Sequence, residues 1–285
     1  YDLLIMIPHS HSLPHQPRLL PIASVGAINV VPVPLRRNDS SSPWCYAASL
    51  TPPIPLDDND ISDCADVPLI PPGANFLATQ VWPSSRIASS IIEQHMDPSW
   101  TVCELGCGPG LPSLTAAKSG ARRVIATDVD ELALEMVRAA AIEQGFINND
   151  NEIIEDDTEK QRFVTKKIDL TSQDTPLPEA DLYILSDVFE SAAVAEGAAW
   201  HVQSILSTKR TRQCHNSQET NNISRFWVFA QSDRAQRDSF LGKMREWYED
   251  EDDAHGGIGW TLDYSPDHDK ELWLFDLDEK MVQYN

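Results

Sequence analysis

The chain has 285 residues, 41% hydrophobic and 23% charged, enough for one substantial globular domain with its own core plus appended segments. Lysine and arginine number 22 against 44 aspartate and glutamate, and the formal net charge of -22 argues against nucleic acid as a direct partner. No apolar run approaches the ~20 residues that cross a bilayer, and the scattered cysteines form no CxxC pairs, which argues against a disulfide framework or structural zinc site and for a reducing compartment.

Residues 1–72 are rich in proline, serine and histidine (HSHSLPH, VPVPL, TPPIPL) and carry no sustained helical period. They read as an extended or partly disordered segment, within which the β-branched run at 19–33 could pair with a sheet edge. His9, His11 and His15 lack a second ligand cluster, so no metal is expected. The chain starts at Tyr1 rather than Met; a cytoplasmic protein is expected, with an organelle-targeting segment left open.

From residue 73 the pattern changes, and residues 73–285 read as one domain. Ile87, Ala88, Ile91 and Ile92 predict a helix over 85–95. A strand at 101–105, a helix at 111–119, a strand at 124–127 and a helix at 131–144 follow, the last ended by Gly145. The polar stretch 148–161 reads as a surface insertion before a strand at 163–168. Then come a strand at 182–185, a helix at 192–206, a polar loop at 209–224, a strand at 226–230, a helix at 238–248 and strands at 259–264 and 271–276. This alternation predicts an α/β, Rossmann-like, doubly wound architecture: a mainly parallel seven-stranded sheet, helices on both faces, and an antiparallel pair at one edge.

In such sheets ligands bind beyond the carboxyl ends of the strands, where strand order reverses. The informative residues cluster there. Glu104 with Gly106, Gly108 and Gly110 ends the first of these strands (TVCELGCGPG, 101–110); Asp128 ends the second (VIATDVD, 124–130); Asp169 follows the third; Ser186 and Asp187 end the fourth. The glycines permit a sharp turn and close approach of a bulky ligand. Asp128, about twenty residues after the loop, suits two ribose hydroxyls, as in nicotinamide-dependent proteins too. Glu104 sits where a dinucleotide would place its pyrophosphate, so a phosphate-free, cationic nucleoside such as S-adenosylmethionine is easier to accommodate; alternatively it caps the loop amides. Cys103 and Cys107 read as small packing residues.

VWPSS at 81–85, ELGCGPGLPSLTAAKSGA at 104–121, VIATDVD and LYILSDVFE at 182–190 together resemble the seven-β-strand class I methyltransferases, specifically the protein-lysine methyltransferases of the METTL21 group. VFAQSDRAQRDSFL at 228–241 is similar to the branch acting on electron-transfer flavoprotein β-subunit lysines. The resemblance implies S-adenosylmethionine as cofactor, with Gly106, Gly108 and Gly110 walling its methionine part, Glu104 near its amino group, Asp128 on the ribose, Asp169 and Leu170 at the adenine, Ser186 beside them, and Trp82 alongside. Asp187 matches the aspartate of the family's post-strand motif; Glu190 stands where the motif has tyrosine, and Ala140 and Gln144 replace two asparagines usual in the helix after the ribose acid.

The implied reaction is in-line methyl transfer to a lysine amine of a protein substrate, without metal or covalent intermediate. Asp187 would accept a hydrogen bond from the amine, Phe189 and Trp82 would form aromatic walls, and Glu190 would attract a basic substrate or stand as an exposed helix-start acid. A monomer is expected. A small-molecule N- or O-methyltransferase and an inactive methyltransferase-like interaction protein are the alternatives; a nicotinamide-dependent reductase is disfavoured by Glu104 and by the lack of a Tyr-x-x-x-Lys arrangement.

Overall fold

The computed structural model describes residues 18–22, 26–34, 44–49, 76–147, 162–215, 224–230, 234, 236–250 and 272–276. Two sheets are present. The first is antiparallel, in the order β1 (Arg18–Ile22), β2 (Gly26–Pro34) and β3 (Trp44–Ser49). The 19–33 run thus pairs within its own segment, and β3 lies against the helices α2 and α3 of the main domain introduced below.

The second sheet has six strands: β4 (Thr101–Leu105), β5 (Arg123–Asp128), β6 (Phe163–Lys167), β7 (Leu182–Ser186), β8 (Arg225–Ala230) and β9 (Leu272–Asp276). Their order is β6-β5-β4-β7-β8-β9 and every pairing is parallel. At the edge β9 pairs with β8 in parallel, and the antiparallel pairing expected between 259–264 and 271–276 is not described, because its first strand falls outside the described residues. A parallel neighbour requires a long crossover, and helix α5 (Arg237–Asp250) lies between β8 and β9 to supply it. The other expected edge strand, 259–264, and the insertion 148–161 lie outside the described residues.

Period-two alternation divides the core. Val102, Val124, Ala126, Leu182, Ile184, Trp227 and Phe229 face one side, packed against α1 (Pro83–His95), α2 (Leu111–Lys118) and α3 (Glu131–Glu143). Cys103, Leu105, Ile125, Tyr183, Leu185, Phe226 and Val228 face the other, packed against α4 (Ala192–His215) and α5. Burial decides which helix goes where: α2 hides every residue from Leu111 to Ala117, whereas α3 buries only one stripe.

The helix ends follow local chemistry. Pro83 opens α1 after extended Trp82, the Asp130 carboxylate caps α3 by accepting the Leu132 amide at 2.8 Å, and Gly145 at φ 74° follows its last turn. One boundary differs from expectation: α4 runs on to His215, into the stretch read as a polar loop. The segment STKRTRQCH contains no glycine or proline to stop a helix. No helix among the described residues is long and apolar enough to cross a membrane.

Candidate functional site

The chain winds outward from β4 through β5 to β6, then restarts at β7 on the other side of β4. Neighbouring connections therefore leave in opposite directions at the carboxyl ends of β4 and β7, and a crevice opens there. An open cleft occupies it, with a cavity volume of about 120 Å³. Gly106, Gly108, Asp128, Asp169, Ser186, Asp187, Phe189 and Trp82 all line it; Glu104 and Gly110 do not.

The glycine loop forms one wall. A Cβ on Gly106 would stand 2.6 Å from a Val188 methyl, and Gly106, Gly108 and Gly110 all have positive φ. Gly110 serves packing: a Cβ there would stand 2.2 Å from a Val137 methyl of α3. Asp128 braces the loop, its Oδ2 accepting the Gly108 amide at 2.8 Å and its Oδ1 the Asp130 amide at 2.9 Å. The Val129 amide adds a third donor, and the four lone pairs of the carboxylate leave acceptor capacity for a hydroxyl. Burial pushes its pKa up, opposed by these amides.

Glu104 lies beneath the loop. Sharing the sheet face of Val102, its carboxyl is 1% exposed and accepts the Ser113 amide at 2.9 Å and the Ser113 hydroxyl at 2.5 Å, at the start of α2. The structure thus gives Glu104 to the helix rather than to the cleft. Burial raises the Glu104 pKa from 4.5 to about 8. The raised value favours the folded state at low pH, and that advantage is lost as pH rises from about 4.5 through about 8, on the order of 5 kcal/mol in all. For the cofactor-free protein, Glu104→Gln is therefore expected to gain stability relative to wild type as pH rises across that window. Urea midpoints from pH 5 to 8.5 test this; parallel curves would sink it.

Asp169 is exposed beyond β6, its Oδ1 accepting the Thr171 amide at 2.9 Å and hydroxyl at 2.7 Å, bonds that lower its pKa. Ile168 and Leu170 bring apolar surface to the cleft on either side of it. Ser186 Oγ is buried there with no hydrogen-bond partner. An orphaned hydroxyl, a glycine cradle and a carboxylate with spare acceptor capacity fit a polar nucleoside.

Asp187 is the one non-glycine residue at positive φ among those described, at 59°. Such a conformation costs of order 1 kcal/mol or more and collects at functional positions. Its amide donates to the Phe229 carbonyl at 2.8 Å, and its carboxylate, 2% exposed, accepts from Arg234 Nε at 3.1 Å and Nη2 at 2.9 Å. The same guanidinium lies 5.2 Å from the Trp82 ring centre. Arg234 was not legible as a site residue; the one hint was its place shortly after strand β8. Phe189 is buried and packs on Phe240 of α5 at 5.2 Å, so it presents an edge to the cleft while belonging to the core. Glu190 reaches the rim, its pKa raised by partial burial. Cys103 and Cys107 are buried packing residues whose thiol pKa values burial drives far up.

Part of the chain matches known proteins. The ribosomal protein L11 methyltransferase (PrmA) family matches residues 70–171. The chain is 34% identical to the ribosomal protein L11 methyltransferase of Thermotoga maritima over 83 residues, 29% of either protein. It is 30% identical to that of Listeria welshimeri over 142 residues, 48% of this chain and 42% of the relative. It is also similar to the crystal structure of the ribosomal protein L11 methylase of Lactobacillus delbrueckii subsp. bulgaricus, at 21% identity and TM-score 0.31 over 47% of this chain and 55% of that one. The chain spans less than half the length of the curated relatives it matches here. The family matched is PrmA rather than the METTL21 group of the residue-by-residue resemblance. The chain has a Rossmann-like, doubly wound parallel sheet, and S-adenosylmethionine is the cofactor that the match over residues 70–171 implies.

Proposed function

We propose that the chain is a protein methyltransferase that transfers a methyl group from S-adenosylmethionine to the amine of a lysine side chain. The observation that carries this reading is the placement of Asp187. Asp187, held in a left-handed backbone turn with its carboxylate buried beneath Arg234, lines the same cleft as the glycine loop and Asp128. A protein acceptor is supported by the relatives, which are named for acting on a ribosomal protein, and lysine by the segments VWPSS and LYILSDVFE.

On this reading Gly106 and Gly108 line the methionine end, Asp128 accepts a ribose hydroxyl, and Ile168, Asp169 and Leu170 flank the adenine. Ser186 supplies a free hydroxyl between the two halves of the cleft. Glu104 acts from below, by filling the anion position of α2. S-adenosylmethionine supplies a methyl group already activated on a sulfonium. The chain must align a nucleophile and exclude water. The lysine ammonium first releases a proton to solvent, which an apolar, partly closed cleft favours. Its lone pair then forms the N–C bond as the C–S bond breaks and the bonding pair stays on sulfur, leaving a methylated ammonium. Asp187 accepts a hydrogen bond from the amine and aims the lone pair, while Trp82 and the edge of Phe189 border it.

The test is incubation of the protein with radiolabelled S-adenosylmethionine and either bacterial ribosomal protein L11 or a cell extract, followed by mass spectrometry of labelled species. Label on a lysine is the expected result; label confined to metabolites would replace the protein acceptor by a small molecule. A second measurement isolates the cofactor half. Asp128→Ala is expected to weaken S-adenosylmethionine binding at least about tenfold, since each hydrogen bond to a charged group contributes roughly 1.5–3 kcal/mol. Calorimetry reads this directly, and unchanged affinity would place the ribose elsewhere.

A further inference from the structure

Arg234 ties together three parts of the chain that meet only at the cleft. Its guanidinium grips both oxygens of Asp187 after β7, lies against Trp82 before α1, and its own carbonyl accepts the Arg237 amide at 2.9 Å where α5 begins. The Asp187 side chain is almost fully buried while that of Arg234 is 33% exposed, so the ion pair faces the cleft from its arginine side. A buried carboxylate left alone would have two ways to relieve its charge: bind a proton, or draw in a cation. A lysine ammonium is such a cation, and holding it as ammonium removes the lone pair that methyl transfer requires.

We propose that Arg234 is a positioning residue for methyl transfer: it neutralises and orients Asp187, so that the acceptor amine is held as an uncharged nucleophile rather than trapped as an ammonium ion. This rests on the lysine reading above. Arg234 makes one contact with Oδ1 and two with Oδ2, so Oδ1 is the oxygen less engaged by the guanidinium. The fork fixes the direction in which the carboxylate oxygens point, and stacking on Trp82 fixes the fork.

The experiment compares wild type, Arg234→Gln and Arg234→Lys in the whole chain. Carbon-13 NMR follows the Asp187 carboxyl through a pH titration, calorimetry measures S-adenosylmethionine affinity, and the rate–pH profile is taken with bacterial ribosomal protein L11 as acceptor. In Arg234→Gln the Asp187 titration midpoint is expected to rise by at least about one pH unit, as loss of an adjacent opposite charge requires. Its kcat near pH 7 should fall about tenfold and recover at higher pH, with KM unchanged or lower and cofactor affinity within about twofold. Arg234→Lys should keep the wild-type titration and profile shape but lower kcat at every pH, since an ammonium supplies charge without the fork. An unmoved titration in Arg234→Gln, or loss of cofactor affinity in step with kcat, would overturn the proposal. The NMR and calorimetry stand without turnover. If neither L11 nor any protein of the extract is labelled on lysine, the lysine reading fails on its own while the coupling of Arg234 to Asp187 is still decided.

Discussion

Asp187→Ala is expected to lower methyl transfer about 100-fold or more while leaving S-adenosylmethionine affinity within about threefold of wild type. The asymmetry follows from position. Asp187 follows the end of β7 and its carboxylate is gripped by Arg234, whereas it is Asp128, at the end of β5, that bonds the glycine loop. Removing it deprives the amine of its acceptor and leaves the Arg234 charge without its partner, but Asp128 still braces Gly108. Alanine is also strained at φ 59°, where asparagine is tolerated better, so Asp187→Asn is the companion variant. Asparagine keeps the turn and one acceptor oxygen but lacks the charge; an intermediate rate separates loss of charge from loss of fold. Single-turnover kinetics and calorimetry on the three proteins decide the matter. Equal loss of both properties would make Asp187 a structural residue of the cofactor pocket instead.

Gly197→Ala should destabilise the protein by about 2 kcal/mol, an overpacking cost against which a helical alanine recovers less than about 1 kcal/mol. The added Cβ would stand 2.1 Å from the Leu170 carbonyl oxygen and 3.1 Å from the Thr171 Cα, and neither backbone atom can swing away as a flexible side chain would. Helix α4 is seated directly on the turn after β6, so relief requires moving one or the other. Leu170 lines the cleft, and weaker cofactor binding is expected to accompany the lower melting temperature, a fall of roughly 4–8 °C. A rise in melting temperature would mean that α4 slides freely over this turn.

Much of the site could be read from residue types because strand ends and ligand positions coincide in this architecture. Apolar runs ending in Glu104, Asp128 and Ser186 located the cleft, and the glycines after Leu105 located its turn. Direction was harder. Glu104 alternates with its neighbours along β4, and only the sheet's position between α2 and α4 determines that its carboxyl meets Ser113. Arg234 could not be read at all, because its partner is 47 residues away and the contact depends on where the chain goes after β8. The direction of β9 depends on counting a crossover, and the extent of α4 on polar helix formers that mimic a loop.

The chain order sorts the cleft into two consecutive blocks. Gly106, Gly108, Asp128 and Asp169 all precede residue 171, where the match to the family model ends; Ser186, Asp187, Phe189 and Arg234 all follow it. The central seam between β4 and β7 is where these blocks are stitched together, by parallel pairing from Val102 with Leu182 to Leu105 with Leu185. Backbone hydrogen bonds dominate that seam, and they are indifferent to the side chains lying beyond the strand ends. A recombinant chain joining this first block to the second block of a relative would keep the same seam, and the side chains that the second block brings to the cleft would be exchanged as a cassette.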